Sequence, residues 1–384
     1  MEIDVRLSEK AKLYLEYRTR GGLSYIKYSS MEKLAEVSGI IFDCDGVLID
    51  EKTSYDKVIK EVTSSLVEIL TGFKFDQEWI PVETIYRIRD VGSFNNDANT
   101  IRLLVDWVVS KIASEVGEEI GDRLEKLSEK SLKELLAYSA VSKPLSEKKI
   151  KDWMTELGQK LSGFEGSAAS LDALEEKLSL DVRLIESVKN AVKPGLAYGV
   201  SLLTTAFEDS FYGAHEVVHR RKDGPFFGFE GRLKDEKVIV TSDTLEILVG
   251  RGLRLGMCTG RGSWETWKTL GDLEKFFDKQ SCVFIGDYIE ADPENAGSYE
   301  KPNPWSLIQA AKSMETSGMK LYVGNSTEDF LMYLKAVEQV DGLLFAGVTD
   351  SDYRRLDYML ENEVDLVIPS VNVLPKIFQL IEEI

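Results

Sequence analysis

The chain has 384 residues, 43% of them apolar, and its 47 basic and 66 acidic side chains give a net charge of −19. The apolar share excludes global disorder, and the length suits two or three domains of roughly 100–200 residues each. So acidic a chain repels nucleic acid and anionic membranes outside any local basic patch, so neither is expected as a partner. No apolar run approaches the ~20 residues that span a bilayer. The amino-terminal MEIDVRLSEK lacks the apolar core of a secretory signal. Cys44, Cys258 and Cys282 form no CxxC pair, and this odd, sparse count predicts a cytoplasmic, reduced protein without disulfides.

In chain order, residues 1–38 form an amino-terminal extension unlike the rest. Leu13 to Tyr28 alternates apolar and polar residues around Gly21-Gly22, which predicts a β-hairpin. That hairpin reads either as an added sheet edge or as a homodimer contact. Gly39–Asp43 is a short apolar run ending in acid, which suits a buried strand with a functional side chain at its carboxyl end. Residues 53–234 are mostly helical in pattern. Tyr55, Val58, Ile59, Val62, Leu66 and Ile69 recur at three- and four-residue steps. So do Leu124, Leu127, Leu132, Leu135 and Leu136, and Ile150, Trp153, Met154, Leu157 and Leu161.

From about residue 235 short apolar runs alternate with helical stretches. The runs are Leu253–Cys258, Cys282–Ile285, Lys320–Val323, Leu343–Val348 and Asp365–Ile368. This rhythm predicts a parallel α/β sheet covered on both faces, its first strand supplied by residues 39–43. A helical module then interrupts the core just after that strand, and ligands are expected at the carboxyl ends of the strands. The core is accordingly assigned to residues 39–52 and 235–384.

The chemistry-bearing residues cluster at those ends. Asp43-Cys44-Asp45-Gly46 places two carboxylates two residues apart, and Gly46 permits a turn that brings both to one site. One can act as nucleophile and the other as acid and base. Thr259-Gly260-Arg261 offers a hydroxyl and backbone amides for phosphate oxygens. Lys301 can neutralise phosphate charge. Gly324-Asn325-Ser326-Thr327-Glu328-Asp329 carries acid and amide oxygens that suit magnesium.

This ordered set resembles the haloacid-dehalogenase-like (HAD-like) superfamily of phosphotransferases and hydrolases, over residues 39–52 and about 235–384. The resemblance implies a Rossmannoid parallel-sheet core with an inserted α-helical cap domain at residues 53–234. It also implies a phosphatase acting on a small phosphorylated metabolite through an aspartyl-phosphate. Asp43 matches the nucleophile and Asp45 the general acid and base. Thr259 and Lys301 match phosphoryl-binding positions, and Gly260 and Arg261 beside Thr259 are expected to bind substrate. Magnesium would be held by Asp43, the backbone carbonyl of Asp45, Asn325 and Asp329. The fourth motif of the family usually begins Gly-Asp, so Asn325 removes one negative charge. Gly92–Asp97 resembles a cap signature of a hydrolase subgroup, which makes Asn95 and Asn96 candidates for substrate contact.

Three other readings remain open: a sugar phosphomutase using the same aspartyl-phosphate, a catalytically weak phosphate-binding homologue, and a zinc peptidase. The last rests on His215-Glu216-Val217-Val218-His219 alone, read here as a cap helix ending in basic residues. Asp287, in Gly286-Asp287, stands in for the fourth motif if Asn325 does not belong to it. Arg87 and Arg89 are considered as anion binders but read more simply as a solvated face.

Overall fold

The computed structural model describes residues 11–19, 21–91, 97–137, 143–164, 167, 169–350 and 353–384. The chain divides into two compact units. One runs up to Glu51 and resumes with Glu236–Ile384; the other is Lys52–Asp235.

In chain order the strands are β1 (Tyr14–Thr19), β2 (Gly22–Lys27), β3 (Val37–Phe42), β4 (Ile49–Asp50), β5 (Phe73–Lys74) and β6 (Lys143–Pro144). They continue with β7 (Lys237–Val238), β8 (Arg254–Thr259), β9 (Cys282–Phe284), β10 (Met319–Gly324), β11 (Leu343–Val348) and β12 (Leu366–Ile368). The central sheet has the order β1-β2-β12-β11-β10-β3-β8-β9. β12 through β9 run parallel, while β2 joins β12, and β1 joins β2, antiparallel. β3 is therefore central: the chain proceeds from it to β8 on one side and later returns to β10 on the other. That reversal is a topological switch point, where open parallel sheets bind ligands.

Period-two alternation explains why these residues form a sheet buried on both faces. Ile40 and Phe42, Leu255 and Met257, Leu321 and Val323, Leu344 and Ala346, and Leu366 and Ile368 enter one apolar cluster. The intervening Ile41, Cys258, Tyr322, Phe345 and Val367 enter the other. Helices Ser242–Gly250, Ser263–Leu270 and Leu374–Glu383 contribute to the first layer. Helices Trp305–Ser313, Thr327–Ala336 and Tyr353–Glu361 contribute to the second.

The hairpin is part of this sheet. Tyr14 pairs with Lys27 and Thr19 with Gly22, so Gly22 already belongs to β2 rather than to the turn. Tyr25 and Ile26 pair with Val367 and Leu366, which makes the hairpin the sheet's edge beyond β12. Tyr14 OH donates to the Val364 carbonyl at 3.0 Å and fastens the outermost strand. Strand boundaries shift by a residue elsewhere, most visibly at Ile285, which begins the helix Ile285–Ala291 instead of closing β9.

In the helical unit, Lys52–Thr71 buries Val58, Ile59, Val62, Leu66 and Ile69 along one face. Tyr55 on the same helix stacks on Phe211 at 5.2 Å between ring centroids. Glu147–Leu161 buries Ile150, Trp153, Met154, Leu157 and Leu161. The leucine series from Leu124 is split between Glu119–Ser128 and Leu132–Ala137. Among the described residues no helix is long and apolar enough to cross a membrane.

Candidate active site

β3 ends at Phe42, and the next residue, Asp43, is tied to β10 through its N–H, which donates to the Val323 carbonyl at 2.8 Å. The chain then turns at once. Leu48 and Ile49 N–H groups donate to the Cys44 carbonyl, and Gly46 adopts φ +68°. A β-carbon at Gly46 would stand 2.0 Å from Asn325 Nδ2, so the missing side chain is what lets the two loops close on each other. The turn leaves Asp43 and Asp45 at one strand end, as the two-residue spacing predicts.

Lys301 joins the end of β3 to the first turn of helix Thr327–Ala336. Its Nζ donates to Asp43 Oδ1 at 2.7 Å and to Asp329 Oδ1 at 2.8 Å. All three side chains are almost wholly buried, and Asp329 is completely so. Lys301 is held just ahead of helix Trp305–Ser313, where Asn303 Oδ1 accepts from the Trp305 N–H. Burial pushes the Asp43 carboxyl up to about 7 against the pull of the Lys301 ammonium, and the neighbouring Asp329 and Asp45 push the same way. Burial also opposes the Lys301 charge, but Asp329 and Asp43 outweigh it and hold its pKa well above the ordinary lysine value. Asp329 stays below its ordinary value: burial is overcome by the ammonium and by hydrogen bonds from Lys301, Tyr322 and Ser326.

Asp329 has little left to offer a metal. Its Oδ1 accepts from Lys301 and from Tyr322 OH at 2.6 Å. Its Oδ2 accepts from the Asn325 N–H, the Ser326 N–H and the Ser326 hydroxyl at 2.8–3.0 Å. The Asp329 N–H returns a bond to Ser326 Oγ, closing a capping box on helix Thr327–Ala336. Gly324 makes the fold-back possible, since a β-carbon there would meet Asp329 Cβ at 2.5 Å. In this structure Asp329, expected among the magnesium ligands, anchors Lys301 and caps its own helix.

A second cluster surrounds Asp45. Arg261 Nη1 donates to Asp45 Oδ1 at 3.1 Å, and Arg261 Nη2 donates to Glu236 Oε1 and Oε2 at 2.6 and 2.8 Å. Arg261, expected to touch substrate, is thus engaged by two carboxylates. Glu51 Oε2 accepts from the Gly46 N–H at 2.8 Å, and burial, then the Asp45 charge, raise its carboxyl to about 8. Thr259 ends β8, two residues beyond the Phe42–Met257 pair, with its Oγ1 accepting from the Arg261 N–H at 3.3 Å. Gly260 follows it in the same loop.

Direct contacts therefore join Asp43, Lys301, Asp329 and Asn325 in one cluster and Asp45 with Arg261 in another, linked through the Asp43–Asp45 turn, with Thr259 and Gly260 at the end of β8 beside them. Asn95 and Asn96 lie outside the described residues. Arg87 donates to the Gly158 carbonyl and Ser162, and Arg89 bridges Asp56 and Asp97, so both serve the helical unit's own packing. Asp287 accepts from the Ser263 N–H and supports the start of helix Ser263–Leu270. The His215 and His219 rings meet edge to face, 5.4 Å between centroids. Glu236, Glu51 and Tyr322 escaped the sequence reading. Only Glu51, three residues past Leu48 in the first motif's own loop, had a local signal.

Among the described residues no three of His, Cys, Asp and Glu are arranged to hold a metal ion. At this site position 325 is an amide, and both Asp329 oxygens already accept hydrogen bonds. Asp43 Oδ2 and the Asn325 side-chain amide take part in no hydrogen bond among the described residues. Asp43 Oδ2, the Asn325 amide oxygen and the Asp45 carbonyl would offer a cation oxygen donors only, with one formal charge among them. That chemistry fits a hard cation held weakly.

An X-ray structure of a structural-genomics consortium target is 16% identical, with 90% of this chain and all of that chain covered and a TM-score of 0.57. A phosphatase from Thermococcus thioreducens is 20% identical over 84% of this chain and 98% of that one, at a TM-score of 0.43. A HAD-superfamily hydrolase of subfamily IA from Geobacter sulfurreducens is 12% identical over 89% and 97%, at 0.37. Neither a protein-family model nor a curated protein matches the chain. The central β3, flanked by β10 and β8, carries Asp43 and Asp45 at its carboxyl end with Lys301 bonded to the first. The likeness to the structural-genomics target is one of fold: a mostly parallel α/β sheet with a large helical unit inserted after its first core strand. In this α/β core the helical unit enters after β4 and the sheet is extended by a hairpin at the β12 edge.

Proposed function

We propose that the protein is a phosphomonoesterase acting on a small phosphorylated metabolite. One observation carries the reading: a buried carboxylate at the end of the central strand, bonded to a lysine and two residues from a second carboxylate. An Asp43 oxygen attacks phosphorus, the ester P–O bond breaks, and its electron pair leaves with the alcohol oxygen, which takes a proton from Asp45. Asp45 then accepts a proton from water as the water attacks phosphorus. The bond from Asp43 to phosphorus breaks and inorganic phosphate departs. Lys301 and the Thr259 hydroxyl bind phosphoryl oxygens in both steps. Magnesium, held by Asp43 Oδ2, Asn325 and the Asp45 carbonyl, would neutralise charge on the transferring group.

The test is release of phosphate from an aryl phosphate with and without magnesium, in the native protein and in Asp43→Asn. Release that persists in Asp43→Asn removes the assigned nucleophile.

The single formal charge of the donor set favours a second reading, a homologue that binds phosphate but turns it over slowly. Asn325→Asp separates the two. Restoring the acid should strengthen magnesium binding about tenfold, because ligand charge tunes affinity. Calorimetric titration with magnesium reads this directly, and the concentration giving half-maximal activity should fall in parallel. An unchanged affinity would place Asn325 outside the donor set.

A further inference from the structure

We propose that Glu236 is a positioning residue that, through a buried ion pair with Arg261, holds the Asp45 side chain where a leaving oxygen is protonated. The inference rests on the phosphomonoesterase reading. Arg261 and Glu236 side chains are 1% and 0% exposed, while Asp45 is 33% exposed. The two carboxylate oxygens of Glu236 accept from one guanidinium nitrogen and leave the other aimed at Asp45 Oδ1. The Thr269 hydroxyl donates to Glu236 Oε2 at 2.8 Å and fixes the carboxylate in turn. A guanidinium is planar and rigid, so securing one edge fixes the direction of the other. An exposed carboxylate on a turn has several rotamers, and this chain of contacts selects one. A phosphate could take Arg261 only by displacing two carboxylates, one wholly buried.

Asp45 matters in proportion to how much the departing oxygen needs a proton. An aryl oxide leaves stably without one, whereas an alkoxide does not. Glu236→Gln should therefore lower kcat on glycerol phosphate about tenfold more than on p-nitrophenyl phosphate, both measured with magnesium. An equal fall on both esters, or no fall, overturns the inference, because a purely structural role cannot discriminate leaving groups. Where Glu236→Gln alone loses the fold by stranding a buried charge, Glu236→Gln with Arg261→Met removes the pair as a unit. The same divergence is then expected and the same equality refutes it. If native protein hydrolyses neither ester, the phosphomonoesterase reading fails, and crystal structures decide the positioning. Asp45 within hydrogen-bond distance of Arg261 in the native protein and displaced in the variant supports it; an unmoved Asp45 overturns it.

Discussion

Asp43→Asn should abolish phosphate release and, at pH 8 without metal, raise the melting temperature. The loss of activity should reach about a thousandfold or more, since no other carboxylate is bonded to Lys301 from the end of β3. The gain in stability follows from burial, which pushes the Asp43 carboxyl up to about 7. In the unfolded chain the same group titrates near ~4. Between these values the folded protein keeps a proton that the unfolded chain has released. Stability therefore declines as pH rises from about 4 to about 7 and is level above that. An amide has no such slope. About three pH units correspond to at most ~4 kcal/mol, so a rise of roughly 5 °C is expected at pH 8. Near pH 4 both proteins carry a neutral side chain and should melt together. Equal melting at both pH values would show that Asp43 is not held against its own ionisation.

Lys301→Met should be the most damaging single change in the core. The ammonium lies between Asp43 and Asp329, which are 8% and 0% exposed as side chains. Its removal strands two carboxylates facing each other, and breaking a buried pair in this way costs about 3–5 kcal/mol. Turnover should fall at least about a hundredfold with the loss of a positioned cation. The destabilisation should shrink in acid, where protonation relieves the repulsion. Urea unfolding at pH 8 and pH 5 measures both effects. A midpoint equal to that of the native protein at pH 8 would deny Lys301 its place between the carboxylates. Lys301→Arg keeps the charge but spreads it over a planar fork, and should recover stability better than activity.

Both predictions depend on residues that could be picked out before any fold was known. Asp43 ends an apolar run too short and too rich in β-branched residues to be a helix, and Asp45 and Gly46 follow it. Lys301 precedes a helical pattern, and Asn325 follows a strand pattern. Periodicity carried the fold class in the same way. The short apolar runs at residues 253–258, 320–323 and 343–348 are the two-sided burial now seen. Arg261 and Asp329 show the limit. Their residue types suit phosphate and metal, yet Arg261 is taken by Glu236 and Asp45, and Asp329 by Lys301, Tyr322 and the turn at Ser326. Nothing local distinguishes a guanidinium waiting for substrate from one already paired.

The sequence by itself determined the alternation of strand and helix, the strand end that bears Asp43 and Asp45, and the hairpin around Gly21. These are set by side-chain period and backbone freedom within a few residues. Only the tertiary structure decided the central place of β3, the docking of the hairpin beside β12, and the partners of Arg261 and Asp329. Lys301 meets Asp43 across 258 residues of chain, and Arg261 meets Asp45 across 216. Contacts at such separation are chosen by how whole strands order themselves, and a local pattern carries no record of that choice.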